Sequence, residues 1–101
     1  MRSVVVLAEA AEDIEQAREF YDAQEPDMGD YCAESLRADI ESLARYHGIH
    51  SRHFGFYRML AERFPFGIYY RETETATQVF AVLDLRRDPN WIRKELAWRG
   101  A

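Results

Sequence analysis

The chain has 101 residues, 48% of them hydrophobic and 31% charged, with a formal net charge of −5. That length supports one domain, residues 1–101, with a modest core and no large interior pocket. The net acidity argues against nonspecific nucleic-acid binding, whose affinity comes mainly from phosphate contacts. The single cysteine, Cys32, excludes an intramolecular disulfide and fits a reducing compartment. The apolar run over residues 4–8 is too short for a signal peptide or a membrane span, so a cytoplasmic protein is expected.

In chain order, residues 3–7 (Ser-Val-Val-Val-Leu) are β-branched and continuous, the pattern of a short buried strand. Residues 9–24 switch to helical spacing: Ala10, Ile14, Ala17 and Tyr21 share one face, while Glu12, Asp13, Glu15 and Glu19 fill the other. Residues 26–29 (Pro-Asp-Met-Gly) read as a loop. A second helix is predicted over residues 30–46, with Cys32, Leu36, Ile40 and Leu43 as its apolar stripe and Gly48 placed for a left-handed stop. The two helices form an antiparallel hairpin that is not stable without a sheet to cover.

A polar stretch with His47, His50 and His53 follows. No Cys, Asp or Glu lies among residues 47–56 to complete a tetrahedral set, so no metal is expected there, and no cofactor elsewhere. Two strands come next, joined at Phe64-Pro65-Phe66-Gly67. Pro65 cannot donate to a ladder, and Gly67 permits backbone angles that other residues avoid. Residues 78–83 are the most strand-like run and are expected to be a central strand. Pro89 ends that strand, Asp88 is placed to cap the turn after it, and residues 90–98 form a possible short terminal helix with Trp91 and Trp98 as anchors. The predicted architecture is α+β. The order is β-α-α-β-β-β, with an N-terminal strand and an antiparallel helical hairpin packed on a small antiparallel sheet.

Charge is uneven along the chain. Residues 1–50 hold 4 Arg/Lys against 12 Asp/Glu, whereas residues 51–101 hold 9 against 6. Of the 13 basic residues only Lys94 is lysine, a bias toward the group better suited to bidentate and stacked contacts.

Arg58-Met-Leu, Arg63-Phe-Pro-Phe-Gly-Ile-Tyr-Tyr, Val79-Phe-Ala-Val-Leu and Arg86-Arg87-Asp88-Pro89, following a helical hairpin, resemble the RelE/ParE superfamily. These are the toxins of bacterial type II toxin–antitoxin modules, often called plasmid stabilisation proteins. The resemblance implies two alternative mechanisms. The RelE-like branch cleaves mRNA on the ribosome without a metal, using basic residues on the sheet and a C-terminal aromatic. The ParE-like branch keeps the fold, lacks that constellation and poisons DNA gyrase. Either is held by a small antitoxin in a hetero-oligomer.

Laid on this chain, the nuclease pattern finds Arg58 and Arg87. Leu60 and Gly67 stand where further basic residues are expected, and Arg93 stands near the position of the C-terminal aromatic. In-line cleavage needs a proton acceptor, a donor and charge stabilisation together. The resemblance therefore points to the ParE-like branch, a binding inhibitor rather than an enzyme. The alternatives are a RelE-like endonuclease using Arg58 and Arg87 and a solitary, non-toxic homologue. The candidate target-binding residues are Arg58, Arg71, Arg86 and Arg87. Tyr69 and Tyr70 alternate across a strand, so one faces outward. With Phe66 it is expected to form an exposed aromatic patch, and Phe66, Tyr69 and Trp91 are the candidate antitoxin contacts. Cys32 is expected to be inert core.

Overall fold

A computed structural model describes residues 2–101; Met1, the first residue of the expected domain, lies outside the described residues. The elements are β1 (Ser3–Val6), α1 (Ala8–Gln24), α2 (Met28–Glu41), β2 (Arg52–His53), β3 (Phe56–Leu60), β4 (Phe66–Glu72), β5 (Ala76–Asp84) and α3 (Pro89–Arg99). They form the α+β arrangement read from the sequence, with one five-stranded sheet in the order β1-β5-β4-β3-β2. β5 is interior, as its apolar run indicated. No helix among the described residues is long and apolar enough to cross a membrane.

The N-terminal strand departs from expectation. β1 pairs with β5 in parallel, Ser3 opposite Ala76 and Val6 opposite Val79, so the sheet is antiparallel only from β5 to β2. β1 is an edge strand, and Val5 and Val6 are 42% and 38% exposed rather than buried. A four-residue parallel edge has one ladder partner, and the hairpin covers only part of it.

α1 and α2 are joined through Glu25–Asp27, with Asp27 in the left-handed region at φ 69°. Met28 and Gly29, expected in the loop, belong to α2. Gly29 is required by close approach: a Cβ there would collide with the Arg18 carbonyl, and its N–H donates to Asp22 Oδ1 at 2.8 Å. α2 stops at Glu41, short of residue 46, and its last turn tightens into a 3-10 turn over Ser42–Ala44. The two-residue strand β2 went unread in the polar stretch. It folds back on β3 through Phe54 and Gly55, both at positive φ (55° and 85°), the geometry of a tight hairpin turn.

Two clusters of buried side chains lie on opposite faces of the sheet. Under the hairpin, Ile14, Leu36 and Ile40 meet Ile68, Tyr70 and Val79, with Cys32 fully buried among them. Burial pushes the Cys32 thiol up to about 11. On the other face, Ile92 and Leu96 of α3 meet Phe56, Tyr69, Ala81 and Leu83. A bulge makes this two-sided packing possible. Tyr69 pairs with Ala81 but Tyr70 pairs with Val79, leaving Phe80 as an extra residue that resets the alternation. Val79 and Val82 therefore both face the hairpin.

Asp13 is not on the solvent face of α1. It is 8% exposed and binds across elements: Oδ2 accepts from the Val82 N–H of β5 at 2.9 Å, and both carboxylate oxygens accept from Arg99 of α3, at 2.5 and 2.9 Å. Arg99 also donates to Glu95 and to the Phe80 carbonyl. One buried ion pair thus joins α1, β5 and α3. At its other end α3 begins at Pro89, with the Asp88 carboxylate accepting from the Asn90 N–H at 2.9 Å, the cap expected of Asp88.

Candidate functional site

The strand alternation puts Arg58, Leu60, Gly67 and Tyr69 on the α3 face. Arg58 pairs with Tyr69 and Leu60 with Gly67. Gly67 is therefore not a turn residue, and it needs no unusual φ. It is glycine because a Cβ would lie 2.9 Å from Leu85 Cδ2, 3.0 Å from Tyr69 Cε1 and 3.2 Å from Arg58 Cδ. The Arg58 side chain runs over this bare backbone. Its guanidinium sits beside the Tyr69 hydroxyl; burial raises the Tyr69 pKa and the Arg58 charge partly offsets it. Arg58 Nε is buried without a hydrogen-bond partner among the described residues. Beyond Arg58 the face is aliphatic: Leu60 is 59% exposed, Gly67 pairs with Leu83, and Leu85 covers Gly67.

At the β2 end of this face, His53 Nε2 lies 2.9 Å from Ser51 Oγ, and burial followed by the Arg58 charge lowers the His53 pKa. Among the described residues His53 is held by the Ser51 hydroxyl and pairs with no carboxylate. His47 and His50 have separate partners. His47 Nδ1 is 2.5 Å from Glu72 Oε1, and His50 Nδ1 is 2.5 Å from Tyr70 Oη. No group of three or more potential metal ligands occurs among the described residues.

The other candidate residues are dispersed. Arg71 is bound inside the fold: its guanidinium stacks on Phe56 at 4.0 Å and donates to the carbonyls of Gly55 and Gly100, both at 3.2 Å. It ties α3 to the β2–β3 turn. Arg86 is exposed and closes on its neighbour Asp84 at 2.7 Å, which holds the Asp84 carboxyl below its usual range. Arg87 stacks on Trp91 at 3.6 Å.

Arg87 and Trp91 line an open groove of about 540 Å³ between α1, the end of β5 and α3, together with Phe20, Phe66 and Glu12. Arg58 does not line it, so the two positions shared with the nuclease pattern are not brought into one pocket. Phe66 and Tyr69 are 7% and 1% exposed, and Tyr70 is 0%. The expected exposed aromatic patch is therefore absent: each tyrosine is buried on its own face because helices cover both sides of β4. Phe66 shows one edge to the groove, and Trp91 is half-buried.

Sequence reasoning missed Asp13 and Arg99, which set one wall of the groove. Asp13 stands at i+3 between Ala10 and Ile14 of the apolar stripe, and that spacing was the available signal.

The fold has a solved counterpart. A structure described as "Chromosomal ParDE TA system from P. aeruginosa" superimposes with a TM-score of 0.73 at 20% sequence identity, covering 81% of this chain and 94% of that one. At that identity the likeness speaks for the fold. No family model and no curated protein matches the sequence.

Proposed function

We propose that this protein is the toxin component of a cytoplasmic type II toxin–antitoxin module of the ParE-like kind. It would inhibit a macromolecular target, DNA gyrase by resemblance, through binding, and be neutralised by a cognate antitoxin. The observation that carries this reading is the aliphatic α3 face beside Arg58. Where the nuclease pattern needs further charge beside Arg58 there are Leu60 and Gly67, paired with each other and flanked by Leu85, and these groups neither accept the proton of a 2′-hydroxyl nor stabilise a pentacoordinate phosphate. The fold likeness to a ParDE structure supports the same reading. In it, Arg58, Arg86 and Arg87 contact the target, and Arg71 supports the surface from within. The groove lined by Phe20, Phe66 and Trp91 receives an apolar segment of the antitoxin.

The test is controlled expression with and without the product of the neighbouring reading frame. The expected outcome is growth arrest with an SOS response, intact translation, and rescue by co-expression. Early loss of translation with cut mRNA would instead establish an endonuclease, and unaffected growth would establish a harmless homologue. Arg58→Ala combined with Arg87→Ala is expected to abolish arrest while leaving the melting temperature near that of the parent. Full arrest by that variant would rule out these arginines as target contacts.

A further inference from the structure

Between Glu41 and Glu62 the chain carries no carboxylate for twenty residues, in a protein with 18 Asp and Glu overall. The same segment holds Arg45, Arg52, Arg58 and all three histidines. Arg45 and Arg52 are exposed. Five other arginines (Arg18, Arg37, Arg63, Arg86 and Arg99) pair with carboxylates, whereas Arg45 and Arg52 pair with none among the described residues. Large apolar side chains are exposed beside them: Tyr46 at 59%, Ile49 at 73% and Phe54 at 47%.

These groups are held in one place. Tyr70 Oη accepts from the Gly48 N–H at 2.9 Å and bonds His50, Tyr70 stacks on Tyr57 at 5.1 Å, and Arg52 lies 4.7 Å over the Tyr57 ring. The loop before β2 and the β2 edge are thereby fixed to the sheet. Between Arg52 and Arg71 opens a polar recess of about 370 Å³, also lined by Gly55, Tyr57 and Glu72. Glu72 is the one acid at this recess, and it is engaged by His47.

We propose that this β2 edge docks an acidic polypeptide segment that also carries aliphatic side chains. A carboxylate enters the recess between Arg52 and Arg71, and the neighbouring apolar side chains cover Ile49 and Phe54. The composition approaches that of an interface centre: it is rich in Arg and aromatics, without Lys, and its one acid, Glu72, is already engaged by His47. A protein partner is favoured over nucleic acid because the exposed aliphatic Ile49 offers neither a stacking surface nor a phosphate contact, and it is covered by an aliphatic side chain instead. The inference does not depend on the toxin reading.

The experiment measures fluorescence anisotropy of a short labelled peptide alternating Glu and Val. Its Gln/Val counterpart and a short oligouridylate serve as competitors. The acidic peptide is expected to bind, and the Gln/Val peptide to bind about tenfold more weakly, the loss of one charge-assisted contact. Arg52→Glu and, separately, Ile49→Ser should each weaken binding by about tenfold with an unchanged thermal melt, while Arg93→Glu leaves it intact. Absence of peptide binding, preference for oligouridylate, or an Arg52→Glu variant that binds like the parent would each overturn the proposal.

Discussion

The two faces of the sheet are built from the same strands but do different work. Under the helical hairpin the buried cluster is continuous and almost wholly apolar, and its one charged group, Asp13, is placed at the margin. Under α3 the cluster is smaller, and arginines are threaded through it: Arg58 crosses Gly67, and Arg71 reaches Phe56 and the end of α3. Stability is concentrated on the first face. The second accommodates cations at a cost, and the unpartnered Arg58 Nε is the clearest sign of that cost. A face that gives up packing for positioned charge is the one to examine for binding.

The contrast can be broken most severely where the faces are joined. Asp13→Ala removes the carboxylate that binds Arg99 and the Val82 N–H, leaving a buried guanidinium without its main partner. The expected loss is about 3–5 kcal/mol, read by denaturant unfolding. Asp13→Ala with Arg99→Met should recover part of that loss; no recovery would mean that the pair does not act as a unit.

Next in size is the hairpin face itself. Ile68→Ala, at a fully buried position, should cost about 2–5 kcal/mol. Leu96→Ala should fall at the low end of that range, because α3 can loosen without opening the rest. Hydrogen exchange should then show α3 amides deprotected ahead of β4 and β5. Equal losses with uniform exchange would erase the distinction between faces.

Arg71→Ala is expected to cost about 1–3 kcal/mol, from the lost stacking and two carbonyl contacts, with deprotection confined to the end of α3 and the β2–β3 turn. A global loss of protection would show that Arg71 belongs to the main core instead.

The smallest effect is a pH dependence on the hairpin face. His50 Nδ1 lies 2.5 Å from the Tyr70 hydroxyl, and burial lowers the His50 pKa from its ordinary 6.5. The folded form therefore binds fewer protons than the unfolded chain across the window below 6.5. This contribution is complete above that pH and is lost as the pH falls through the window. Melting temperature measured across mildly acid to neutral pH should rise, and His50→Gln, which removes the titrating group, should flatten that rise. An identical slope in the variant would place the titration elsewhere.

Much of the fold was legible because long amphipathic stripes have one physical solution. The stripes of α1 and α2 and the apolar run of β5 each needed a covered face, and each found one. Residues 3–7 misled because a continuous apolar run signals burial on both sides, whereas β1 sits at an edge that the hairpin covers only in part. The Phe66–Tyr70 stretch misled for the opposite reason: alternation suggested one open face, and α3 closes it. Gly67 looked like punctuation, but the constraint is the passage of Arg58 and Leu85 over its backbone, which only three-dimensional neighbours reveal. At the candidate site, Arg58 and the missing charges at Leu60 and Gly67 came from the family resemblance and not from the residues' own spacing. The internal roles of Arg71 and Asp13 were not legible, because their partners lie far away in the chain.

The parallel pairing of β1 with β5 has a consequence for synthesis. The first strand waits for partners more than seventy residues downstream, Ser3 for Ala76 and Val6 for Val79, and Asp13 waits for Arg99, 86 residues away. A growing chain therefore cannot close its sheet until β5 has left the ribosome, nor seat its buried ion pair until Arg99 has. A chain cut before Arg99 leaves Asp13 buried without its guanidinium partner. Premature termination should thus yield material that is cleared by proteolysis rather than a partly active fragment.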